Sequence, residues 1–175
     1  MSDVTFNSNA GETIARELMI AYLNTGTALA PVWSPFGKRV EDSSAEYDWD
    51  SETIRDIIGN VFGKLKKPIV SQEFDPWDLD GDDAAAVRIW NLAVKDQDAH
   101  ALAAQDVLVV HFYAGTAATP FAERYPSSMI EVGEIGGEGG GDLHISTTVT
   151  FGGTRAVGTA AKDASTGVVS FTPAS

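Results

Sequence analysis

Six glycines and three acids fall within ten residues, GEIGGEGGGD at 133–142. Such runs cradle phosphate when successive backbone N–H groups converge on an anion. A P-loop needs GxxxxGK(S/T), whose lysine neutralises phosphate and whose hydroxyl holds Mg2+. Here there is no lysine, and Glu134, Glu138 and Asp142 repel phosphate. A dinucleotide loop also leads from a strand into a helix. The residues that follow here, LHISTTVTF, alternate and read as a strand. Charge and context both favour a wide hairpin between antiparallel strands.

DPWDLDGDD suggests calcium instead. An EF-hand loop needs D-x-(D/N)-x-(D/N)-G and a glutamate at its twelfth place. Aligning Gly81 with the glycine puts Pro76 at the first ligand place; starting at Asp78 puts Asp83 at the glycine place and Ile89 at the last. Helix capping is the stronger reading of these acids, and weak calcium binding at 78–83 the minor one. The chain has no cysteine, which excludes disulfides, thiolate catalysis and cysteine-held metals. His100, His111 and His144 are scattered, with no pair at the spacing of a zinc helix. No GxSxG elbow is present, and no two acids stand out as a glycosidase pair. No catalytic, cofactor-binding or metal-ligating residue emerges.

Charge points the same way. The formal net charge is −13, opposite in sign to that of a protein that places Lys and Arg on duplex phosphates. At 175 residues and 43% hydrophobic content, one domain with a real core is expected. No apolar run approaches the ~20 residues that cross a bilayer. MSDVTFNSNAGE has neither a basic nor an apolar signal region, so signal-peptide export and membrane partners are not expected.

The elements that position these residues read mostly as strands. Residues 1–14 are expected to be a flexible leader. At 17–23, Leu18, Ile20 and Tyr22 alternate as in a strand, while Ile14, Leu18 and Tyr22 also fit helical spacing. Pro31 and Pro35 forbid a helix and predict a short extended segment turning at Gly37. EDSSAEYDWDSE reads as a long exposed loop with two aromatics, Tyr47 and Trp49. VFGKLKKPIVSQEF reads as a hairpin with KLKK at its tip, and its return strand puts Val70, Gln72 and Phe74 on one side. DLDGDDAAAVRIWNLAVKDQD is the clearest helix. Acids sit at its start, and a Val87, Trp90, Val94 stripe is expected to lie on a sheet. DVLVVHFYAG reads as a buried strand, and MIEVGE and LHISTTVTF as strands around the glycines. In the latter, Leu143, Ile145, Thr147, Val149 and Phe151 share one face, and His144, Ser146, Thr148 and Thr150 the polar one. RAVGTA and GVVSFT add short strands. The fold class is mainly β (α+β): an antiparallel sandwich or partial barrel flanked by one helix.

The order of these segments resembles the tail tube protein, or major tail protein, of long-tailed bacteriophages. The resemblance runs from ELMIAYLNTGT and PVWSPFG through VEDSSAEYDWDSETIRDIIG and VSQEFDPWDLDGD. It continues through VLVVHFYA to AERYPSSMIEVGEIGGEGGGDLHISTTVTFGG and RAVGTA. It covers about 15–161, and its order is more specific than any single motif. It implies a β-sandwich with a helix and a structural protein without enzymatic activity or cofactor. Six-fold rings stack into a hollow tube whose inner strands join edge to edge around a lumen. The implied partners are further copies, the tape-measure protein, and tail terminator and tail-tip proteins. Double-stranded DNA passes through without specific binding. The implied place is the virion tail, assembled in the host cytoplasm.

Given that family, Glu131, Glu134, Glu138, Asp142, His144, Ser146, Thr148 and Thr150 are the candidate lumen-facing residues. Glu46, Tyr47, Asp48, Trp49 and Asp50 fall in the place of the loop that bridges rings. The resemblance also favours a strand at 17–23. Residues 162–175 are expected to be a strand, an inter-subunit arm or a disordered tail. The rival readings are a tube protein of a contractile injection or type VI-like system, and a carbohydrate-binding sandwich stacking sugars on Trp33, Trp49 and Trp77. An acid-pair hydrolase is the remotest.

Overall fold

The computed structural model describes residues 3–174. It contains eleven strands: β1 Met19–Asn24, β2 Trp33–Pro35, β3 Ala45–Asp48, β4 Glu52–Arg55, β5 Val61–Lys64, β6 Ile69–Asp78, β7 Gln105–Gly115, β8 Pro120–Gly136, β9 His144–Phe151, β10 Ala156–Lys162 and β11 Val169–Pro173. A 3-10 turn, Arg16–Leu18, precedes β1, and helices α1 Ala84–Trp90 and α2 Ala99–Leu102 lie between β6 and β7. No helix among the described residues is long and apolar enough to cross a membrane.

All strand pairs are antiparallel. One sheet runs β2-β1-β7-β8-β10-β11 and the other β8-β9-β6-β3. The long β8 serves both. Its first part pairs with β7 and β10, and from Met129 to Gly136 it pairs with β9. The transfer lies at Pro126–Ser128, where proline has no N–H to give a ladder. The chain leaving β9 passes this corner closely: a Cβ on Gly152 would lie 2.4 Å from the Ser127 carbonyl oxygen.

Between the sheets lies the main core, with Leu23, Phe74, Trp77, Ile89, Val107 and Ile145 among its buried residues. On the opposite face of β1 and β7, Tyr22, Leu108 and Val110 pack with Ala122, Ala160 and Val169 as β10 and β11 curl over. Burial there pushes the Tyr22 phenol up to about 12. The mainly β fold with a flanking helix is as the sequence predicts.

Particular elements differ. The segment 41–52 is not one long loop, because β3 pairs with β6. The expected hairpin is displaced: β5 pairs back with β4, and the tip is 56–60 rather than KLKK. Asp56 sets that tip, its carboxylate accepting from the backbone N–H groups of Ile58 and Asn60 and from Asn60 Nδ2. Gly37 does turn, at φ 76. The strand expected at MIEVGE begins nine residues earlier, at Pro120.

The helix turns a different face inward. Ala85, Ala86 and Ile89 are buried, whereas Val87, Trp90 and Val94 are 37–41% exposed. The reason is at its start. Asp83 caps the helix by accepting from Ala85 N and Ala86 N, and its other oxygen accepts from Trp77 Nε1 at 3.0 Å. That bond draws the first turn onto β6, where Ala85 and Ala86 are buried. Beyond Trp90 the helix widens into a π turn, Asn91–Lys95, closed by Asp96 N donating to the Asn91 carbonyl.

Toward the ends of the chain, Thr5–Asn7 lie against the end of β7, with Phe6 edge-on to Tyr113. β11 pairs with β10. Of the leader 1–14 and the C-terminal 162–175, residues 1, 2 and 175 lie outside the described residues.

Candidate assembly surface

β3, β6, β9 and the second part of β8 carry no Lys or Arg. Together they form the second sheet. Along β9, Ile145, Thr147, Val149 and Phe151 are buried, while His144, Ser146, Thr148 and Thr150 are half-buried on the outer face. Register extends that face. Glu131 and Glu73 flank Thr148, Met129 and Ser71 flank Thr150, Glu134 lies opposite Ser146, and Asp78 opposite His144. On β3, Glu46 opposes Ser71 and Asp48 opposes Ile69. Glu131 and Glu134 are three apart and would normally face opposite ways. A bulge between Val132 and Glu134 absorbs the extra residue and returns Glu134 to the outer face.

The sheet thus gathers six of the eight residues predicted to line a lumen: Glu131, Glu134, His144, Ser146, Thr148 and Thr150. Glu138 and Asp142 are exposed in the turn beyond the strands. Glu73 and Ser71 belong to the same face, and the alternation of β6 was the signal for them. The acids near 78–83 have other engagements. Asp80 bonds Lys38 at 3.0 Å and Arg39 at 3.2 Å, and the Asp82 N–H, followed by these cations, holds its carboxyl below the usual range. Among the described residues no three His, Asp or Glu converge as a metal-holding group.

Both margins of this sheet are open. Among the described residues β3 bonds only β6, and β8 from Met129 onward bonds only β9. Beyond β3 the chain forms the β4–β5 arm, in which every strand residue is exposed. Its root is fastened by Lys66 N donating to the Trp49 carbonyl and by a Lys66–Asp50 ion pair. Of the predicted bridging residues, Glu46, Tyr47 and Asp48 lie on β3. Trp49 and Asp50 form the arm's root, with the Tyr47 and Trp49 rings stacked at 6.4 Å.

A buried charge cluster that sequence reasoning missed ties β7, the first part of β8 and the start of β10 together within the first sheet. Glu123 on β8 accepts from Tyr125 at 2.8 Å and from Arg155, and lies 2.8 Å from His111 Nε2. His111 Nδ1 is 3.0 Å from the Tyr113 hydroxyl. Burial raises the Glu123 pKa, but the His111, Arg155 and Tyr125 hydrogen bonds and the Arg155 charge outweigh it and bring it to about 2. The Tyr47 phenol on edge strand β3 is raised by burial and then by the Glu123 charge. The cluster fills with its own partners and lines none of the larger surface recesses. It acts as a brace.

No family model matches the sequence, and no curated protein matches it. Solved structures do. A chain of the sheath/tube terminator of PVC, an extracellular contractile injection system in its extended state, aligns with a TM-score of 0.50. It is 9% identical, over 85% of this chain and 99% of that one. The two chains share a fold. Weaker likenesses, at 0.49 and 0.48, are to a chain of the PVC sheath-tube complex and to the anti-feeding prophage tube-terminating cap. They are 8% and 12% identical, over 86% and 87% of this chain and 94% and 95% of theirs. The fold is tail-tube-like, as the resemblance implied, and nothing in the likeness singles out long-tailed bacteriophages.

Proposed function

We propose that this chain is a structural, non-enzymatic subunit that self-assembles into stacked rings forming a hollow tube. One observation carries the reading: a four-stranded sheet, open at both margins, whose outer face is mostly acids and hydroxyls, with Met129, Ile69 and His144 among them and no Lys or Arg. Its strands alternate in direction and are even in number. Copies related by rotation therefore bring the β3 edge of one against the β8 edge of the next as an antiparallel pair. Such a head-to-tail contact closes into a ring when the rotation divides a full turn, and closure removes both exposed edges. Six copies per ring is the number the family resemblance supplies.

In such a ring the cation-free face lines the lumen, with Glu131, Glu134, Thr148 and Thr150 on the wall. A wall of this charge lets double-stranded DNA pass without the phosphate contacts that would hold it. Glu138 and Asp142 then rim the channel. The β4–β5 arm reaches a neighbouring ring. Tape-measure, terminator and tip proteins are the further partners, in a tail assembled in the cytoplasm of the producing cell. A second reading, a tube of a contractile injection system, is favoured by the 0.50 fold likeness; a neighbouring sheath gene separates the two.

Negative-stain microscopy and sedimentation velocity of concentrated protein test the proposal. Rings or tubes with a central hole are expected. A monomer at every concentration and ionic strength refutes it.

A further inference from the structure

On the side of β6 opposite the acid-and-hydroxyl face, a recess of about 580 Å3 opens between β6, β1, the turn after β2 and the start of α1. Met19, Ala21, Phe36, Val40 and Phe74 give it apolar walls, with the Phe36 and Phe74 rings 4.6 Å apart. Its size and lining are those of a small-molecule site.

One polar side chain interrupts the walls. Gln72 is 2% exposed and sits between Val70 and Phe74 on the inward side of β6. Its Nε2 donates to Ser43 Oγ at 2.9 Å. The Ser43 hydroxyl gives its single hydrogen to the Glu73 carbonyl at 2.5 Å. Toward Gln72 it can therefore only accept, which fixes the orientation of the amide. Gln72 Oε1 is left buried with no donor. A buried acceptor in that state is destabilising, and a ligand that brings a donor relieves it.

The recess is rich in acceptors and poor in available cations. Glu17, Glu41, Asp82 and Asp83 line it, against Arg16 and Lys38. Lys38 is paired with Asp80 at 3.0 Å, and Arg16 directs its guanidinium at the Ser43 and Met19 carbonyls. Among the described residues none of the four carboxylates is in an ion pair. Asp83 is already satisfied by the N–H groups of Ala85, Ala86 and Trp77. Glu17, Glu41 and Asp82 are exposed. A fitting ligand must therefore supply N–H donors and positive charge on an apolar body, and an anion is repelled.

We propose that this recess binds a small organic amine. Its protonated nitrogen donates to Gln72 Oε1 and faces Glu17, Glu41 and Asp82, while its apolar body packs on Phe36 and Phe74. The aromatic faces attract the same cation. The site belongs to the single subunit and does not depend on ring assembly.

Phenethylamine, phenylpropionate and phenylethanol share an aromatic body and end in a cation, an anion and a neutral hydroxyl. Each is titrated into the isotope-labelled full chain and followed by NMR. Phenethylamine is expected to saturate with a Kd on the order of 1 mM or tighter, shifting the Gln72 side-chain amide. Phenylpropionate should bind at least about tenfold more weakly, with phenylethanol between them. Gln72→Leu keeps the volume, removes the acceptor and should weaken phenethylamine about tenfold. Glu17→Gln with Glu41→Gln should weaken it about threefold or more and reduce its salt dependence. No saturable shift at Gln72 by ~20 mM phenethylamine, equal binding of the anion, or undiminished binding to the double glutamine variant overturns the site. If Gln72→Leu fails to fold, the anion comparison and the double variant, which leave the core intact, still decide it.

Discussion

Replacing Glu123 by glutamine removes a buried charge while nearly preserving shape. The carboxylate is held at about 2 rather than its ordinary 4.5 by His111, Arg155 and Tyr125. At ~1.4 kcal/mol for each factor of ten in acidity, that difference amounts to roughly 3 kcal/mol of folding stability at neutral pH. For a chain of this length each kcal/mol moves the melting temperature by roughly 2–4 °C, so Glu123→Gln should melt about 6–12 °C lower at pH 7. The sign of the pH dependence follows from the depressed value. The contribution is complete above the unfolded-state pKa near 4.5 and disappears as pH falls toward 2. The gap between wild type and variant should therefore close across that window. Differential scanning calorimetry from pH 7 down to 2.5 reads it. A gap below ~2 °C at pH 7, or one that persists unchanged to pH 2.5, refutes the account of the brace.

Other consequences are equally specific. Asp83→Ala removes a helix cap and leaves the buried Trp77 N–H without its acceptor; the expected loss is about 2–4 kcal/mol in urea denaturation. Replacing 53–63 by two glycines removes arm residues that are exposed, apart from the half-buried Asp56 at the tip. The shortened subunit should melt within ~2 °C of wild type yet fail to elongate tubes in negative stain. In the proposed ring, Glu46 and Asp48 of one copy would lie near Glu131 and Glu134 of the next. Repulsion should therefore oppose assembly at ~10 mM salt, where screening reaches ~30 Å, and relax by ~0.5 M. Sedimentation velocity across that range measures the shift, and Glu46→Gln with Glu131→Gln should lower the salt required.

Local pattern was enough for much of the second sheet. The strict alternation of LHISTTVTF gives β9 its buried and polar faces, because successive side chains in a strand point oppositely and burial selects between them. The same rule put Val70, Gln72 and Phe74 of β6 on one side, which the structure buries. The missing lysine and the following strand made 133–142 a hairpin bend rather than a phosphate loop, and that bend joins β8 to β9.

Pairing and packing partners were not legible in the sequence. Lys64–Lys67 and the segment Asp56–Gly59–Asn60 both carry turn character, and only the pairing of β5 with β4 chooses the second. The stripe Val87, Trp90, Val94 fits a buried helix face by periodicity. The helix instead turns Ala85, Ala86 and Ile89 inward, because a side-chain bond between Asp83 and Trp77 sets its rotation. Glu123 and Arg155 lie 32 residues apart and meet only when β8 and the start of β10 come together. Chain-local periodicity determines which face of a strand is polar. Which strands meet, which helix face is left for a partner and which charges are buried together depend on contacts distant in sequence, and only the tertiary structure decides them.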